Sequence, residues 1–245
     1  MEPNIWDFEL KHFGIRQSST AMKVGTDSIS LGAWTAHAVQ APNRILDLGT
    51  GTGILALMMA QSYPLAKIDA IELEDGAYLD AYYNICNSAF EKQINLYHAD
   101  AIDFPYTSKY NLIISNPPYY TADICSSNRE RHIARFDRQE EGLGIRTLIQ
   151  IAQRLLAESG VLSFIAPYNR LNEIRQLAAE ALFVINHLCI LESYPGEPVR
   201  IMLILSKQQK GYIPTQEQIL SIRVESGGVY SSEYRHLVAR FLNGN

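Results

Sequence analysis

The chain has 245 residues, of which 47% are apolar, 10% are aromatic and 19% are charged, and its net charge is −5. An apolar share of this size excludes a disordered or collagen-like chain, and the length suits one large α/β domain. The acidic net charge does not favour a protein that coats duplex nucleic acid with its whole surface, but it does not exclude a local basic strip.

The sequence shows no sign of export, membrane insertion or a structural metal. It has no run of about 18 uncharged apolar residues, and residues 1–4 lack the basic start and apolar run of a signal peptide. The three cysteines, Cys86, Cys125 and Cys189, lie far apart and form no zinc-ligand spacing. We therefore expect a cytoplasmic protein that holds no metal.

From residue 44 onward, short apolar runs alternate with helix-forming segments. The apolar runs predict strands at residues 44–48, 67–72, 94–98, 111–115, 160–166, 183–191 and 199–205. The segments between them predict helices at residues 54–60, 75–87, 144–158 and 171–181.

The last two predicted strands differ from the others in how they are connected. Between them lies the turn Tyr194-Pro195-Gly196, in a connection too short for a crossover helix, so these two strands should pair antiparallel. The pattern predicts a doubly wound, mostly parallel sheet of seven strands whose last strand is antiparallel. In such sheets, ligands bind beyond the carboxyl ends of the strands.

A glycine-rich turn, Asp47-Leu48-Gly49-Thr50-Gly51-Thr52-Gly53, follows the first of these strands. Glycines let the backbone turn sharply and approach a ligand without a Cβ atom in the way. The free N–H groups at the start of the next helix attract an anionic or polar group. By itself, the pattern fits a ligand site and a simple strand-to-helix turn equally well.

Two acidic residues at the ends of the next strands favour a nucleotide-type ligand. Glu72 ends the second predicted strand, close to the roughly 20-residue spacing at which an acid meets ribose hydroxyls. Asp100 follows the third strand and can accept a hydrogen bond from an adenine amino group.

The details of the glycine turn indicate which nucleotide binds. A dinucleotide fingerprint has the spacing G-x-G-x-x-G, whereas this turn has G-x-G-x-G, with Ile54 at the last glycine position. Asp47 adds a carboxylate that repels a pyrophosphate and suits a positively charged ligand, such as the amino and sulfonium groups of S-adenosylmethionine. An NAD-dependent oxidoreductase is thereby disfavoured but stays an alternative.

A proline corner, Asn116-Pro117-Pro118-Tyr119, follows the fourth strand. The prolines remove two N–H donors and fix φ, so the Asn116 side-chain oxygen and the Pro117 carbonyl form a rigid pair of acceptors. Such a pair suits an –NH₂ group on a planar ring. When the two oxygens accept hydrogen bonds from both N–H groups, the nitrogen becomes more nucleophilic. Tyr119 can stack on that ring, and the chemistry requires no metal. The alternative is a strand terminator with a packed tyrosine.

Together, these two motifs resemble the amino-group methyltransferases that use S-adenosylmethionine in a Rossmann-like fold. A narrower resemblance lies upstream, where Phe13, residues 22–28 and residues 31–34 are similar to the bacterial tRNA(Val) adenine-N6 methyltransferases that modify position 37, beside the anticodon. The upstream sequences are Met22-Lys23-Val24-Gly25-Thr26-Asp27-Ser28 and Leu31-Gly32-Ala33-Trp34.

The resemblance implies a class I methyltransferase fold and a role for each motif residue. Asp47, Gly49 and Gly51 would line the methionine part of the cofactor, Glu72 would hold the ribose, and Asp100 with Ala101 would contact the adenine. The candidate catalytic residues are Asn116, Pro117, Pro118 and Tyr119. The candidate cofactor-binding residues are Lys23, Gly25, Thr26, Asp27, Asp47, Gly49, Thr50, Gly51, Gly53, Glu72, Leu73, Asp100, Ala101 and Asn116.

The resemblance also implies one methyltransferase domain over residues 1–245, in which residues 1–40 form an N-terminal extension and lid and residues 41–245 form the catalytic core. Residues 23–27 would close over the cofactor; alternatively, this segment only caps a helix at residues 28–38, with Thr26 or Asp27 as N-cap. The expected substrate is an adenine in a tRNA anticodon loop.

Three alternatives remain at this point: another planar amine, such as an rRNA base or a protein glutamine; the NAD-type oxidoreductase; and a non-catalytic cofactor-binding module. Segment 120–142 holds basic residues that could contact RNA or could form a solvated loop. These residues are Arg129, Arg131, His132, Arg135 and Arg138.

Overall fold

The computed structural model describes residues 6–20, 23–118, 143–208 and 214–243. The strands of this part are β1 (Phe8–Glu9), β2 (Gly14–Ile15), β3 (Arg44–Leu48), β4 (Lys67–Glu72), β5 (Ile94–His98), β6 (Tyr110–Ser115), β7 (Leu156–Pro167), β8 (Phe183–Glu192), β9 (Pro198–Lys207) and β10 (Gln216–Ser221). Its helices are α1 (Thr26–Ala38), α2 (Ile54–Ser62), α3 (Asp75–Cys86), α4 (Ile145–Leu155), α5 (Leu171–Glu180) and α6 (Ser232–Val238).

The main sheet of the described residues has the strand order β10-β8-β9-β7-β6-β3-β4-β5. Strand β9 runs antiparallel to both β7 and β8, and the other pairings are parallel. The expected fold class, a mostly parallel and doubly wound Rossmann-like sheet, is confirmed, and so is the antiparallel pairing of the two strands joined by the proline turn.

The prediction of seven strands, the last of them antiparallel, is corrected by β10. This eighth strand of the described sheet pairs parallel with β8 at the outer edge, so the antiparallel strand is not the last one in the chain. Its sequence escaped prediction because β10 begins with three polar residues and is mostly exposed. Polar edge strands of this kind lack the apolar pattern of a buried strand.

Helices cover both faces of the sheet, and the core therefore has two layers. Neighbouring residues on a strand point to opposite faces: Ile45 packs in the cluster that contains residues of α1, α2 and α6, whereas Leu46 packs in the cluster with α4 and α5. Because both faces are covered, the central strands are apolar without alternation. Among the described residues, no helix has both the length and the apolar character to cross a membrane.

Helix α1 is part of this core although it precedes the first central strand. Ile29, Leu31 and Trp34 are buried in the first cluster. Gly32 allows the close approach of α2, because a Cβ atom there would lie 2.6 Å from the side chain of Met58. The start of α1 is thereby held at a fixed place beside the sheet.

Candidate active site

The tips of β3 and β6 lie side by side, which brings the two predicted motifs together. The strands pair parallel, with Asp47 opposite Ile114. One residue further along each strand, the Ser115 hydroxyl donates a hydrogen bond to the carbonyl of Leu48 over 2.8 Å. The glycine turn and the proline corner therefore leave the sheet from adjacent positions at the same edge.

The glycine turn requires its glycines, because all three of them have left-handed backbone angles. The φ values are +66° at Gly49, +59° at Gly51 and +81° at Gly53, a region that other residues rarely adopt. Apart from the chain neighbours of Gly51, no heavy atom of the described residues lies within 4 Å of the position that a Cβ atom would take there. The turn thus presents bare backbone to open space, where a ligand can approach closely.

Asp47 is fully buried below this turn, and its two carboxylate oxygens differ in their partners. Oδ2 accepts hydrogen bonds from the Thr50 hydroxyl at 2.5 Å and from the Ala56 N–H at 3.0 Å. Oδ1 is buried and accepts no hydrogen bond from the described residues. A buried carboxylate oxygen without a donor is costly, so Oδ1 is suited to a positively charged or proton-donating ligand group.

Burial raises the pKa of Asp47 from 3.8 to about 7; the bonds from Thr50 and Ala56 oppose this rise, and the nearby charge of Glu72 adds to it. The ionised form of Asp47 is thus destabilised by its burial, and a cationic ligand can offset this loss of free energy.

Glu72 joins the end of β4 to the glycine turn. Its Oε2 accepts from the Gly51 N–H at 2.7 Å, and its Oε1 accepts from the N–H groups of Leu73 and Glu74, each at 2.9 Å. Each carboxylate oxygen can accept more than one hydrogen bond, so these bonds leave acceptor capacity. The role of Glu72 toward a ribose stays a prediction.

The residues expected at the adenine lie next to Glu72. The Ala99 N–H donates to the carbonyl of Glu72 over 2.9 Å, which places the chain after β5 beside the end of β4. Asp100 Oδ1 accepts from the N–H of Ile102 at 2.8 Å. Ala101 is buried, whereas the Leu73 side chain is 62% exposed and offers an apolar surface at this edge.

Asn116 begins the proline corner and contacts helix α1. The half-buried Asn116 side chain donates from Nδ2 to the Oγ atom of Ser28 over 3.0 Å. Pro117 is buried and Pro118 is exposed. Tyr119, the fourth residue of the motif, lies outside the described residues, as do Arg129, Arg131, His132, Arg135 and Arg138.

The segment expected to form a lid leads into α1. Lys23, Gly25 and Thr26 are exposed, while the Asp27 carboxylate accepts from Nε of Arg200 at 2.8 Å. The expectation of Thr26 or Asp27 as N-cap is wrong, because the helix begins at Thr26 and its N-cap is Gly25, without a side-chain cap. A contact of these residues with the cofactor stays a prediction.

Comparisons with known proteins agree with this arrangement. Residues 35–183 match the model of the methyltransferase small domain. A tRNA1(Val) (adenine(37)-N6)-methyltransferase of Flavobacterium psychrophilum is 36% identical over 96% of this chain and 98% of its own length. One from Actinobacillus pleuropneumoniae is 34% identical over 96% of each chain. The chain belongs to the tRNA1(Val) (adenine(37)-N6)-methyltransferase family.

A solved structure supports the fold alone. A predicted O-methyltransferase from Agrobacterium tumefaciens superposes with a TM-score of 0.63 at 20% identity, over 88% of this chain and 96% of its own. The family and the fold establish S-adenosylmethionine as the cofactor. The orphaned Oδ1 of Asp47 and the bare backbone at Gly51 fit that molecule, because it carries an ammonium and a sulfonium group.

Sequence reasoning missed the contacts that α1 makes with the site. Ser28 stood within a motif noted for its resemblance, but no role was assigned to it. The guanidinium of Arg200 donates to the Asp27 carboxylate. These contacts join residues 88 and 173 positions apart, and no local pattern in the sequence signals them.

Proposed function

We propose that this protein methylates N6 of adenine 37 in the anticodon loop of tRNA1(Val), using S-adenosylmethionine. The chain is nearly as long as its curated relatives and shares about a third of its residues with them. Residues 1–245 would form one methyltransferase domain, and the protein would act in the cytoplasm, where its substrate is available.

The cofactor-binding part of the site consists of three strand ends. Asp47 would hold the cationic amino-acid part of the cofactor. The turn at Gly49 and Gly51 would let the protein backbone approach the cofactor closely, and Glu72 would accept hydrogen bonds from the ribose hydroxyls. Leu73, Asp100 and Ala101 would surround the adenine. When bound, S-adenosylmethionine supplies an electrophilic methyl group on a positively charged sulfur.

The proline corner would bind and polarise the target amine. Asn116 Oδ1 and the carbonyl of Pro117 would each accept a hydrogen bond from one N–H of an –NH₂ group, which would draw the nitrogen lone pair out of conjugation with the ring. Pro117 is buried and its φ is fixed by the ring, so these acceptors need no reorganisation during the reaction. Tyr119 would stack on the extruded base.

The observation that carries this proposal is the adjacency of two groups, each suited to one of the two reactants. A buried carboxylate oxygen without a described partner lies on β3, and a proline-fixed acceptor corner follows β6, the strand paired with it. The first suits a cationic donor and the second suits an amine. Holding the two reactants at neighbouring strand tips provides proximity and orientation.

The test is methylation of defined RNAs by the purified full-length protein with isotope-labelled S-adenosylmethionine. We expect N6-methyladenosine in a tRNA1(Val) transcript and none in the same transcript with guanine at position 37, as measured by mass spectrometry of nucleosides. Asn116→Ala should abolish the product while the dissociation constant of the cofactor changes less than about threefold, because Asn116 is expected to act on the amine.

Parallel reactions with rRNA and with total protein distinguish the alternative amines. Label in an rRNA base or in a protein glutamine, with tRNA unlabelled, would contradict the proposed substrate while preserving the methyltransferase chemistry. Equal labelling of the two tRNA transcripts would contradict the choice of position 37.

A further inference from the structure

The two halves of the carboxyl edge of the sheet would bind different ligands. The proposed function places the cofactor over the ends of β3, β4 and β5, so an RNA that presents a base to the proline corner must lie over the other half. That half consists of the ends of β6, β7, β8 and β10 and of the start of β9, because β9 runs antiparallel to β7 and β8. An RNA backbone carries a negative charge at each phosphate, so a cation on this half would stabilise the complex.

Three arginines of this half differ in their partners. Arg170, which follows β7, binds the carboxylate of Glu173. Arg200, on β9, binds the carboxylate of Asp27. Arg223 lies two residues beyond the end of β10, and no carboxylate of the described residues lies within 4 Å of its guanidinium nitrogens. Of these three cations, Arg223 is therefore the one whose charge the described part of the chain leaves without an ion pair.

Arg223 belongs to a hairpin loop, residues 222–231, that follows β10. The Ile222 N–H donates to the carbonyl of Glu192, the last residue of β8, over 2.8 Å. Arg223 and Tyr230 form an antiparallel bridge across the loop. These contacts hold the base of the loop at the carboxyl edge, on the same half of the sheet as the proline corner.

Two contacts fix the guanidinium of Arg223. Its Cζ atom lies 4.7 Å from the centroid of the Tyr230 ring, which is a cation–π distance, and its Nη1 donates to the carbonyl of Gly228. Neither contact neutralises the charge, and the exposed Glu225 of the same loop lies more than 4 Å away. A guanidinium has five N–H donors, so this half-buried arginine can offer further donors to a phosphate, which it binds through two parallel bonds.

The position of Arg223 suits a contact with the RNA backbone away from the target base. Four strand spacings of about 4.8 Å separate β6 from β10 in the order of the sheet, so the proline corner and Arg223 lie about 19 Å apart along the edge. Phosphates several nucleotides from an extruded base can reach this distance. Arg223 would thus bind the RNA without touching the reacting atoms.

We propose that Arg223, supported by the ring of Tyr230, is a phosphate anchor for the backbone of the tRNA anticodon arm. The identity of the RNA rests on the proposed function, whereas the unpaired cation rests on the geometry. The alternative is that the guanidinium only closes the hairpin loop. Salt dependence distinguishes the two roles, because a phosphate contact releases counterions from the RNA and the closing of a loop does not.

The anchor is tested by titrating the full-length protein with a fluorescent tRNA1(Val) transcript from about 50 to 300 mM salt. Arg223→Gln should bind about fivefold more weakly and should reduce the slope of log affinity against log salt by about 0.7 to 0.9, as for one lost phosphate contact. At saturating RNA, its methylation rate should stay within about twofold of wild type. Wild-type affinity and slope in Arg223→Gln, with or without a lower melting temperature, overturn the proposal.

Substitutions that keep the charge or the ring test the two parts of the anchor. Arg223→Lys keeps the charge but not the planar fork, so its salt slope should stay near the wild-type value while its affinity falls about threefold. Tyr230→Phe keeps the ring and should bind RNA as wild type does. Tyr230→Leu removes the ring and should bind about threefold more weakly. Equal binding by Tyr230→Phe and Tyr230→Leu overturns the support by the ring.

Arg154 provides a matched control at the opposite edge of the sheet. It is exposed in the last turn of α4, just before β7 begins, and it has no carboxylate of the described residues within 4 Å. Arg154→Gln makes the same change in charge, and its RNA affinity and salt slope should equal those of wild type. Equal losses in Arg223→Gln and Arg154→Gln would show an effect of net charge and overturn the proposal.

The wild-type protein decides the proposed function separately. If it methylates adenine 37 and Arg223→Gln binds the transcript as wild type does, only the anchor fails. If it binds the transcript but forms no N6-methyladenosine, the proposed function fails, and the salt slope of Arg223→Gln still decides the anchor. A wild type that does not bind the transcript overturns both.

Discussion

Two buried aspartates on neighbouring strands illustrate the difference between a candidate binding group and a structural group. Asp47 on β3 is fully buried, and the donors to it from the described residues both bind Oδ2. Asp69 on β4 is also buried, but its Oδ2 accepts from the Tyr110 hydroxyl at 2.8 Å and its Oδ1 from the Asn95 amide at 2.9 Å. The fold satisfies both oxygens of Asp69 and leaves one of Asp47 without a described donor.

The position of each residue on the sheet accounts for this difference. Asp69 lies opposite Leu46 in the strand register, so it points to the opposite face from Asp47. Its partners are the side chains of Asn95 on the adjoining strand β5, of Tyr110 on β6 and of the half-exposed Arg44. Asp47 instead precedes the glycine turn at the edge of the sheet that holds the candidate site. The comparison indicates that a buried carboxylate oxygen without a donor among the described residues is a candidate contact for a ligand.

Replacement of Asp47 should have the largest effect on cofactor affinity, and this effect should distinguish Asp47 from Asp69. Asp47→Asn should weaken binding of S-adenosylmethionine by about 100-fold, because the charge facing the cation is lost. The free protein should nevertheless become more stable at pH 8, since an amide oxygen can keep both bonds from Thr50 and Ala56. Calorimetric titration and urea denaturation measure these two effects.

The sign of the stability change follows from the raised pKa. In the folded chain, the pKa of Asp47 rises from 3.8 to about 7, so the folded state binds more protons than the unfolded state between these values. Stability of the free wild-type protein therefore falls as the pH rises through this interval, by up to about 4 kcal/mol. Asp47→Asn should lack this decline; a variant with the same decline would assign it to another group.

Replacement of Asp69 should give the opposite result. Asp69→Asn places an –NH₂ against one of the two donors, because these donors bind different oxygens. We expect a loss of about 2 kcal/mol in the free energy of unfolding, with cofactor affinity unchanged within about twofold. If Asp69→Asn weakens the cofactor as strongly as Asp47→Asn, the assignment of a purely structural role to Asp69 fails.

Cofactor affinity should depend on pH through Asp47. Only the ionised carboxylate attracts a cation, and its pKa in the free protein is about 7. Affinity for S-adenosylmethionine should therefore fall by up to about tenfold for each pH unit below this value, whereas Asp47→Asn should show a weak dependence. Titrations from about pH 5.5 to 8.5 in buffers of matched ionic strength test this prediction.

The smallest effects come from removing one donor at each aspartate. Tyr110→Phe deletes a hydroxyl that binds Asp69, and we expect it to lower the free energy of unfolding by about 1 kcal/mol. Thr50→Val deletes the hydroxyl that lowers the pKa of Asp47, so the midpoint of the affinity profile should move to higher pH. A midpoint that moves to lower pH would contradict the assignment of the profile to Asp47.

Local patterns in the sequence predicted much of this fold. The apolar runs located seven strands of the main sheet to within a few residues, and the proline turn predicted the antiparallel pairing of β8 and β9. The helix expected at 144–158 ends at Leu155, because the following residues join β7. Strand β10 was missed because its pairing with β8, rather than its own apolar content, makes it a strand.

The candidate site could be predicted only in part for a similar reason. Asp47, Glu72 and Asn116 follow or end apolar strands, and parallel strands bring their carboxyl ends to one edge. The contact of Asn116 with Ser28 joins residues 88 positions apart. Which of two oxygens on a carboxylate lacks a partner likewise depends on atoms that meet only after folding.

The sequence by itself determined the class of the sheet, and it predicted the edge of the candidate site and the chemical types of the groups there, because apolar runs, glycine turns and prolines act over a few neighbouring residues. Only the tertiary structure decided that Asp47 keeps a buried oxygen without a described donor, that Asp69 does not, and that Ser28 contacts Asn116. Hydrogen bonding and desolvation depend on the distances between atoms of distant segments, and packing of the elements sets those distances.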